Sequence, residues 1–151
     1  MKGQTSTAQL LVTGSVAWED SQAIDSVLAE FAERFKGQRR TLRIITGTAS
    51  GADEIARQWA ARHGIEVFAH DLDKGAYPTP MHRYNEEMLQ LRPDVVLAFK
   101  QHFDENWHSE NCAAGTEHMC RIAVRAGVPV FLNGNQELGL KDARSSSDSQ
   151  D

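Results

Sequence analysis

Along the chain, short apolar runs alternate with longer stretches in which apolar positions recur every three or four residues. The runs are Gln9–Thr13, Leu42–Thr46, Ile65–Ala69, Asp94–Phe99 and Val128–Leu132, rich in Val, Ile, Leu and Phe. They lack clean polar alternation, as strands do when both faces of a sheet are covered. Between them, Ile24, Val27, Leu28, Phe31 and Phe35 fall on one face of a helix that Asp20 or Ser21 can cap. Ala52, Ile55, Ala56, Trp59 and Ala60 predict a second helix, stopped by Gly64. Tyr84, Met88 and Leu91 predict a third, ended before Pro93, and Met119, Ile122, Ala123 and Ala126 a fourth, ended by Gly127. Strands alternating with helices build repeated βαβ units. The predicted fold is therefore α/β, a Rossmann-like three-layer sandwich whose central, mainly parallel sheet has about five or more strands.

A chain of 151 residues, 40% hydrophobic and 25% charged, is long enough for one core. A single domain is expected over residues 1–140. The segment from Lys141 to Asp151, with one small apolar residue, reads as a disordered tail. No apolar run approaches a membrane span, and the amino terminus lacks the apolar core of a signal peptide, so a cytoplasmic protein without a membrane partner is expected. Two cysteines, Cys112 and Cys120, are too few for a disulfide scaffold. With 16 Lys and Arg against 21 Asp and Glu, the formal charge of −5 argues against a nucleic-acid partner, whose binding rests mainly on neutralising phosphates. An anion would have to be held locally.

In parallel sheets of this kind, ligands bind beyond the carboxyl ends of the strands, where loops present the amides of helix N-termini. Three such loops are built from small residues: Val12-Thr-Gly-Ser15, Thr46-Gly-Thr-Ala-Ser-Gly-Ala-Asp53 and Ala113-Ala-Gly-Thr116. Without bulky side chains, backbone N–H groups in these loops can approach a phosphate or ribose closely. Each loop alone reads equally well as an ordinary tight turn. Three at one sheet edge favour a site. No Gly-Lys-Ser/Thr follows and no GxGxxG is present, so neither a Walker A loop nor the dinucleotide fingerprint is supported.

Taken in order, Val12-Thr-Gly-Ser15, Gly47 through Asp53 with Trp59-Ala60, Asn85 and Met88, Asp94 through Phe99, Gly115-Thr116 and Gly127 through Val130 resemble the YspA/YpsA-like branch of the SLOG superfamily, over residues 9 to 132. That resemblance implies a Rossmann-like fold and a nucleotide or nucleotide-derived ligand, bound by a sensor or a sequestering protein of a bacterial or phage conflict system. Gly14, Ser15, Gly47, Thr48, Ser50, Gly51, Gly115 and Thr116 would then cradle phosphate or ribose, with Arg83, Asn85 and Glu117 lining the pocket. Related members often form homodimers, and no cofactor or metal is implied.

The superfamily also holds phosphoribohydrolases of the Lonely Guy type, which gives an alternative: an N-glycosidase acting on a nucleoside monophosphate, with Glu117 and Arg83 as catalytic residues. Those enzymes carry PGGxGTxxE and MHxRKxxM. Here Met119 fills the glutamate slot and Tyr84 the arginine slot, with Arg83 displaced by one residue, or about 100° of helix. Val16 stands where the branch often has an arginine. These departures weaken hydrolysis more than binding. A third alternative, a DNA-processing accessory of the DprA type, is opposed by the acidic balance.

Several side chains have a structural reading beside the functional one. Asp53 reads as a ribose ligand or as a first-turn carboxylate facing the helix dipole. Trp59 falls on the apolar stripe and reads as core. Trp18, just after the first glycine turn, is the candidate for stacking on a base. His102, Asp104, Glu105, His108, Cys112, His118 and Cys120 offer ligand types for zinc but no Cys-x-x-Cys or His-Glu-x-x-His spacing, so the stretch from 100 to 112 reads as a loop covering the ligand edge.

Overall fold

A computed structural model describes residues 6–70 and 81–139, so the predicted tail at 141–151 lies outside the described residues. The elements run β1 (Thr7–Gly14), α1 (Ser21–Gly37), β2 (Thr41–Thr46), α2 (Ala52–Arg62), β3 (Glu66–Ala69), α3 (Met81–Leu89), β4 (Val95–Phe99), α4 (Gly115–Arg125), β5 (Val130–Leu132) and β6 (Gln136–Leu138). They form one sheet in the order β3-β2-β1-β4-β5-β6. Every pairing is parallel except that of β5 with β6. The alternating runs thus become the α/β sandwich that the pattern predicts.

The absence of polar alternation has a direct cause. Leu10, Val12, Ile44 and Leu97 point to one face of the sheet, against Ile24, Leu28, Phe31 and Phe35 of α1 and Ala56, Trp59 and Ala60 of α2. Leu11, Ile45, Val96 and Ala98 point to the other, against Tyr84 and Met88 of α3 and Met119, Cys120, Ala123 and Val124 of α4. Each fully buried aliphatic side chain contributes about 1.5–3 kcal/mol, so a polar residue in the middle of β1 or β4 would cost one of the two layers.

Helix ends follow the local chemistry. Asp20 caps α1 by accepting the Ala23 N–H at 3.1 Å. Gly64 and Gly127, at φ +65° and +82°, take the left-handed conformation just past α2 and α4. The short β6 is an addition to the predicted pattern. Asn133 and Gly134, at φ +53° and +85°, turn the chain so that Leu132 pairs with Gln136. Asn-Gly is a recognised hairpin signal, but Gln136-Glu-Leu138 carries too little apolar character to be read as a strand.

This topology fixes where a ligand can enter. From β1 the chain crosses to β2 through α1 on one face, whereas β4, the other neighbour of β1, leads to α4 on the opposite face. The connections diverge at the carboxyl ends of β1 and β4 and leave a crevice there, the usual binding position in open α/β sheets.

Candidate functional site

A cavity of about 410 Å³ occupies that crevice. Its walls are residues 12–16 at the end of β1, Thr48, Ala49 and Asp53 from the β2–α2 connection, Tyr84, Asn85 and Met88 of α3, Lys100 after β4, and Gly115 with Thr116 at the start of α4. All three small-residue loops therefore contribute to one cavity. Its volume lies within the usual range for small-molecule sites.

The first two loops are tied together through the backbone. Ser15 N–H donates to Phe99 O at 2.9 Å, and Ser15 O accepts both Trp18 N–H (3.2 Å) and Ala52 N–H (3.1 Å). Two glycines permit this approach. A Cβ on Gly14 would overlap the Phe99 carbonyl and lie 2.8 Å from Ala52 Cβ, and Gly51, at φ +74°, has the Ser15 and Val16 backbones against it. Arg57 holds the second loop from behind, donating to Gly47 O at 2.7 Å and Ala49 O at 3.2 Å. Neither α2 nor α4 has a side-chain cap, unlike α1.

Asp53 is the acidic side chain among the described lining residues. Burial pushes its carboxyl from the ordinary 3.8 up to about 6, against the opposing pull of the Ala49 N–H, the Arg57 charge and the Gly47 N–H. Lys100 is the cationic one among the described lining residues. Its Nζ lies 2.8 Å from Glu117 Oε1, and the other Glu117 oxygen accepts the Asp104 N–H at 2.9 Å. Asn85, buried on α3, donates through Nδ2 to Gly115 O (3.0 Å) and lies 3.0 Å from His118 Nδ1. It fixes the start of α4 against α3.

Of the residues the sequence points to, Gly14, Ser15, Thr48, Asp53, Asn85, Gly115 and Thr116 line the cavity. Gly47, Ser50 and Gly51 shape the loop behind it: Gly47 lies against the Tyr84 hydroxyl and Asp53, and Ser50 Oγ is 3.5 Å from Val16 O. Trp18 is turned away. Its ring packs edge-on against Phe99 at 5.6 Å and its indole N–H donates to Asp20 O at 2.8 Å. Arg83, with 72% of its side chain exposed, faces Glu87 rather than the cavity. Glu117 is fully buried with both oxygens engaged.

Val16, Tyr84, Met88 and Lys100 are lining side chains that sequence reading did not assign to the site. The signal for Lys100 was its position directly after the fourth strand, at the ligand edge. Of the stretch from 100 to 112, Lys100 alone lines the cavity. Arg121 draws the rest onto α4 by donating to Trp107 O (2.9 Å) and Cys112 O (3.2 Å). Among the described residues no group of three or more His, Cys, Asp or Glu is arranged to hold a metal ion. Burial raises the thiol pKa of both Cys112 and Cys120, which keeps them protonated and poorly nucleophilic.

Comparison with known proteins adds the family. A model described as the YspA, cpYpsA-related SLOG family matches residues 8–77, which contain the first two loops. The Gene 61 protein of Mycobacterium phage D29 is 30% identical over 135 residues, covering 85% of this chain and 98% of that protein. The chain belongs to the YspA, cpYpsA-related SLOG family. Among solved structures, the SLOG chain is similar to DNA processing protein A (DprA) from Streptococcus pneumoniae, with a TM-score of 0.61 and 17% identity over 83% of this chain and 50% of that one. It spans about half the length of that protein and shares its fold over that half. Among the described residues no helix is long and apolar enough to cross a membrane.

Proposed function

We propose that this SLOG protein binds a nucleotide or nucleotide-derived small molecule at the carboxyl edge of its sheet, as a sensor or a sequestering protein. The observation that carries this reading is the convergence of three small-residue loops and two helix N-termini without side-chain caps on one cavity at the topological switch point. First-turn amides there are suited to phosphate or carboxylate oxygens, and Val12, Val16 and Met88 offer apolar surface to a base. Family membership supports a nucleotide-related role.

The phosphoribohydrolase alternative draws no comparable support. The pair assigned to it does not line the cavity: Glu117 is occupied by Lys100 and the Asp104 amide, and Arg83 faces Glu87, which leaves Asp53 as the carboxylate there and no arginine among the described lining residues. Thermal-shift screening against nucleosides, nucleotides and cyclic or ADP-ribose-type compounds tests the proposal. At ligand concentrations near one hundred times Kd, a binder adds about 2.7 kcal/mol, several degrees in Tm. If no compound raises Tm, the binding function is refuted. Release of free base from a nucleoside monophosphate would favour the hydrolase instead.

A further inference from the structure

The second loop turns its backbone inward, onto two side chains of α2. Its carbonyl groups at Gly47 and Ala49 accept the Arg57 guanidinium at 2.7 and 3.2 Å. The N–H groups of the same two residues act on the Asp53 carboxylate, and the first amide of α2, Ala52 N–H, donates to Ser15 O at 3.1 Å. Those amides are engaged within the protein, and the charged group presented to the cavity from this side is the Asp53 carboxylate. Its place is closely set. A Cβ on Gly47 would lie 2.8 Å from Asp53 Oδ2 and overlap the Tyr84 hydroxyl, so the carboxyl group sits over the loop backbone at a distance that glycine allows. A carboxylate has about four lone-pair positions. The loop amides take part of them and leave acceptor positions for a ligand. At pH 7.5 a carboxyl that burial pushes to about 6 is ionised, so it repels a phosphate and attracts O–H and N–H donors, with short, strong hydrogen bonds.

We infer that Asp53 accepts the vicinal 2′- and 3′-hydroxyls of a ribose, so that the cavity takes a riboside whose diol faces α2 and whose phosphate, where it has one, is directed away from α2. This rests on the nucleotide-binding reading above and adds which end of the ligand meets α2. Two adjacent O–H groups match the two oxygens of one carboxylate, and they are the donor pair that ribosides of every base share. The apolar surface suited to the base comes from other elements, Val12 of β1, Val16 just after it and Met88 of α3.

The test is a calorimetric titration of the full chain at pH 7.5 with ribonucleosides, their 2′-deoxy forms, and the 5′- and 3′-monophosphates of each of four bases. The two monophosphates share base, size and charge and differ in whether the diol is intact. For whichever base binds, the riboside should be tighter than its 2′-deoxy form and the 5′-isomer tighter than the 3′-isomer, each by about ten- to a hundredfold, the loss expected when a charged acceptor is left without its donor. Equal or reversed affinities within either pair overturn the diol inference and leave the nucleotide site standing. No binding by any member removes both. In Asp53→Asn both gaps should shrink to a few-fold. Glu54→Gln removes the same charge from the same turn of α2, at an exposed position outside the cavity wall, and should leave the gaps as they are. Equal effects of the two variants overturn the contact and make Asp53 a charge that offsets the α2 dipole; unchanged gaps in a folded Asp53→Asn overturn its role outright. If that variant does not fold, the wild-type pairs decide.

Discussion

Asp53 makes the stability of the fold depend on pH in a direction opposite to that of a salt-bridged carboxylate. Its carboxyl is pushed up from 3.8 to about 6, mainly by burial, so between these values the folded state binds a proton that the unfolded chain releases. Under that condition the free energy of unfolding falls as pH rises. The contribution of Asp53 is greatest below about pH 4, where both states are protonated, declines through about pH 6, and levels off once both are ionised. The shift is about two pH units, each worth ~1.4 kcal/mol, which sets an upper bound of about 3 kcal/mol. Asp53 retains some solvent contact, and screening reduces the expected loss to about 2 kcal/mol. For a chain of this length that is ~4–8 °C in Tm.

Other groups titrate in the same window, so the informative quantity is the difference between wild type and Asp53→Asn, followed by thermal or urea unfolding from pH 4 to 8. Asparagine keeps one carbonyl acceptor and gives up the other, a cost that is constant with pH and subtracts as an offset. The wild type should lose about 2 kcal/mol relative to the variant between pH 4 and 7. A difference that stays within about 0.5 kcal/mol across that range, or that grows in favour of the wild type as pH rises, would refute the assignment of burial as the dominant effect on Asp53.

Three further variants probe the scaffold. Gly14→Ala forces a Cβ into the Phe99 carbonyl and Ala52 and should cost at least ~3 kcal/mol by overpacking, while Gly37→Ala, with nothing within 4 Å of the added Cβ at the end of α1, should leave Tm unchanged or slightly raised; equal melting temperatures would contradict the close approach of β1, β4 and α2. Glu117→Ala strips Lys100 and the Asp104 amide of their acceptor and should destabilise by about 3–5 kcal/mol, as breaking a buried ion pair does. Near-wild-type urea unfolding would mean that Glu117 is not a structural anchor.

The fold was legible because both faces of the sheet are covered. Leu10, Leu11 and Val12 can be consecutive and apolar only where helices pack on each side, and that same run marks β1 in the sequence. Trp59 read as core from its place on the stripe, and it is 3% exposed. The cavity was legible in its backbone, since small residues after a strand mark a close approach wherever they occur. Side-chain direction was less legible. Trp18 lies two residues beyond a lining residue, yet its contact with Phe99 depends on the angle at which α1 leaves β1, which no local pattern encodes. Lys100 and Tyr84 line one cavity from positions sixteen residues apart. Glu117 looked like free chemistry because its partners, Lys100 and the Asp104 amide, precede it by more than three helical turns' worth of chain.

The double acceptor role of the Ser15 carbonyl has a consequence for kinetics. By receiving N–H groups from both Trp18 and Ala52, it joins the first two loops into one rigid rim before any ligand arrives. For the ligand proposed above, little conformational entropy would then be left to lose on docking against this part of the wall, which favours affinity through preorganisation. The same rigidity removes loop ordering there as a slow step for a ligand bound as proposed above, so encounter and departure, rather than rearrangement of this rim, would set the rate of exchange.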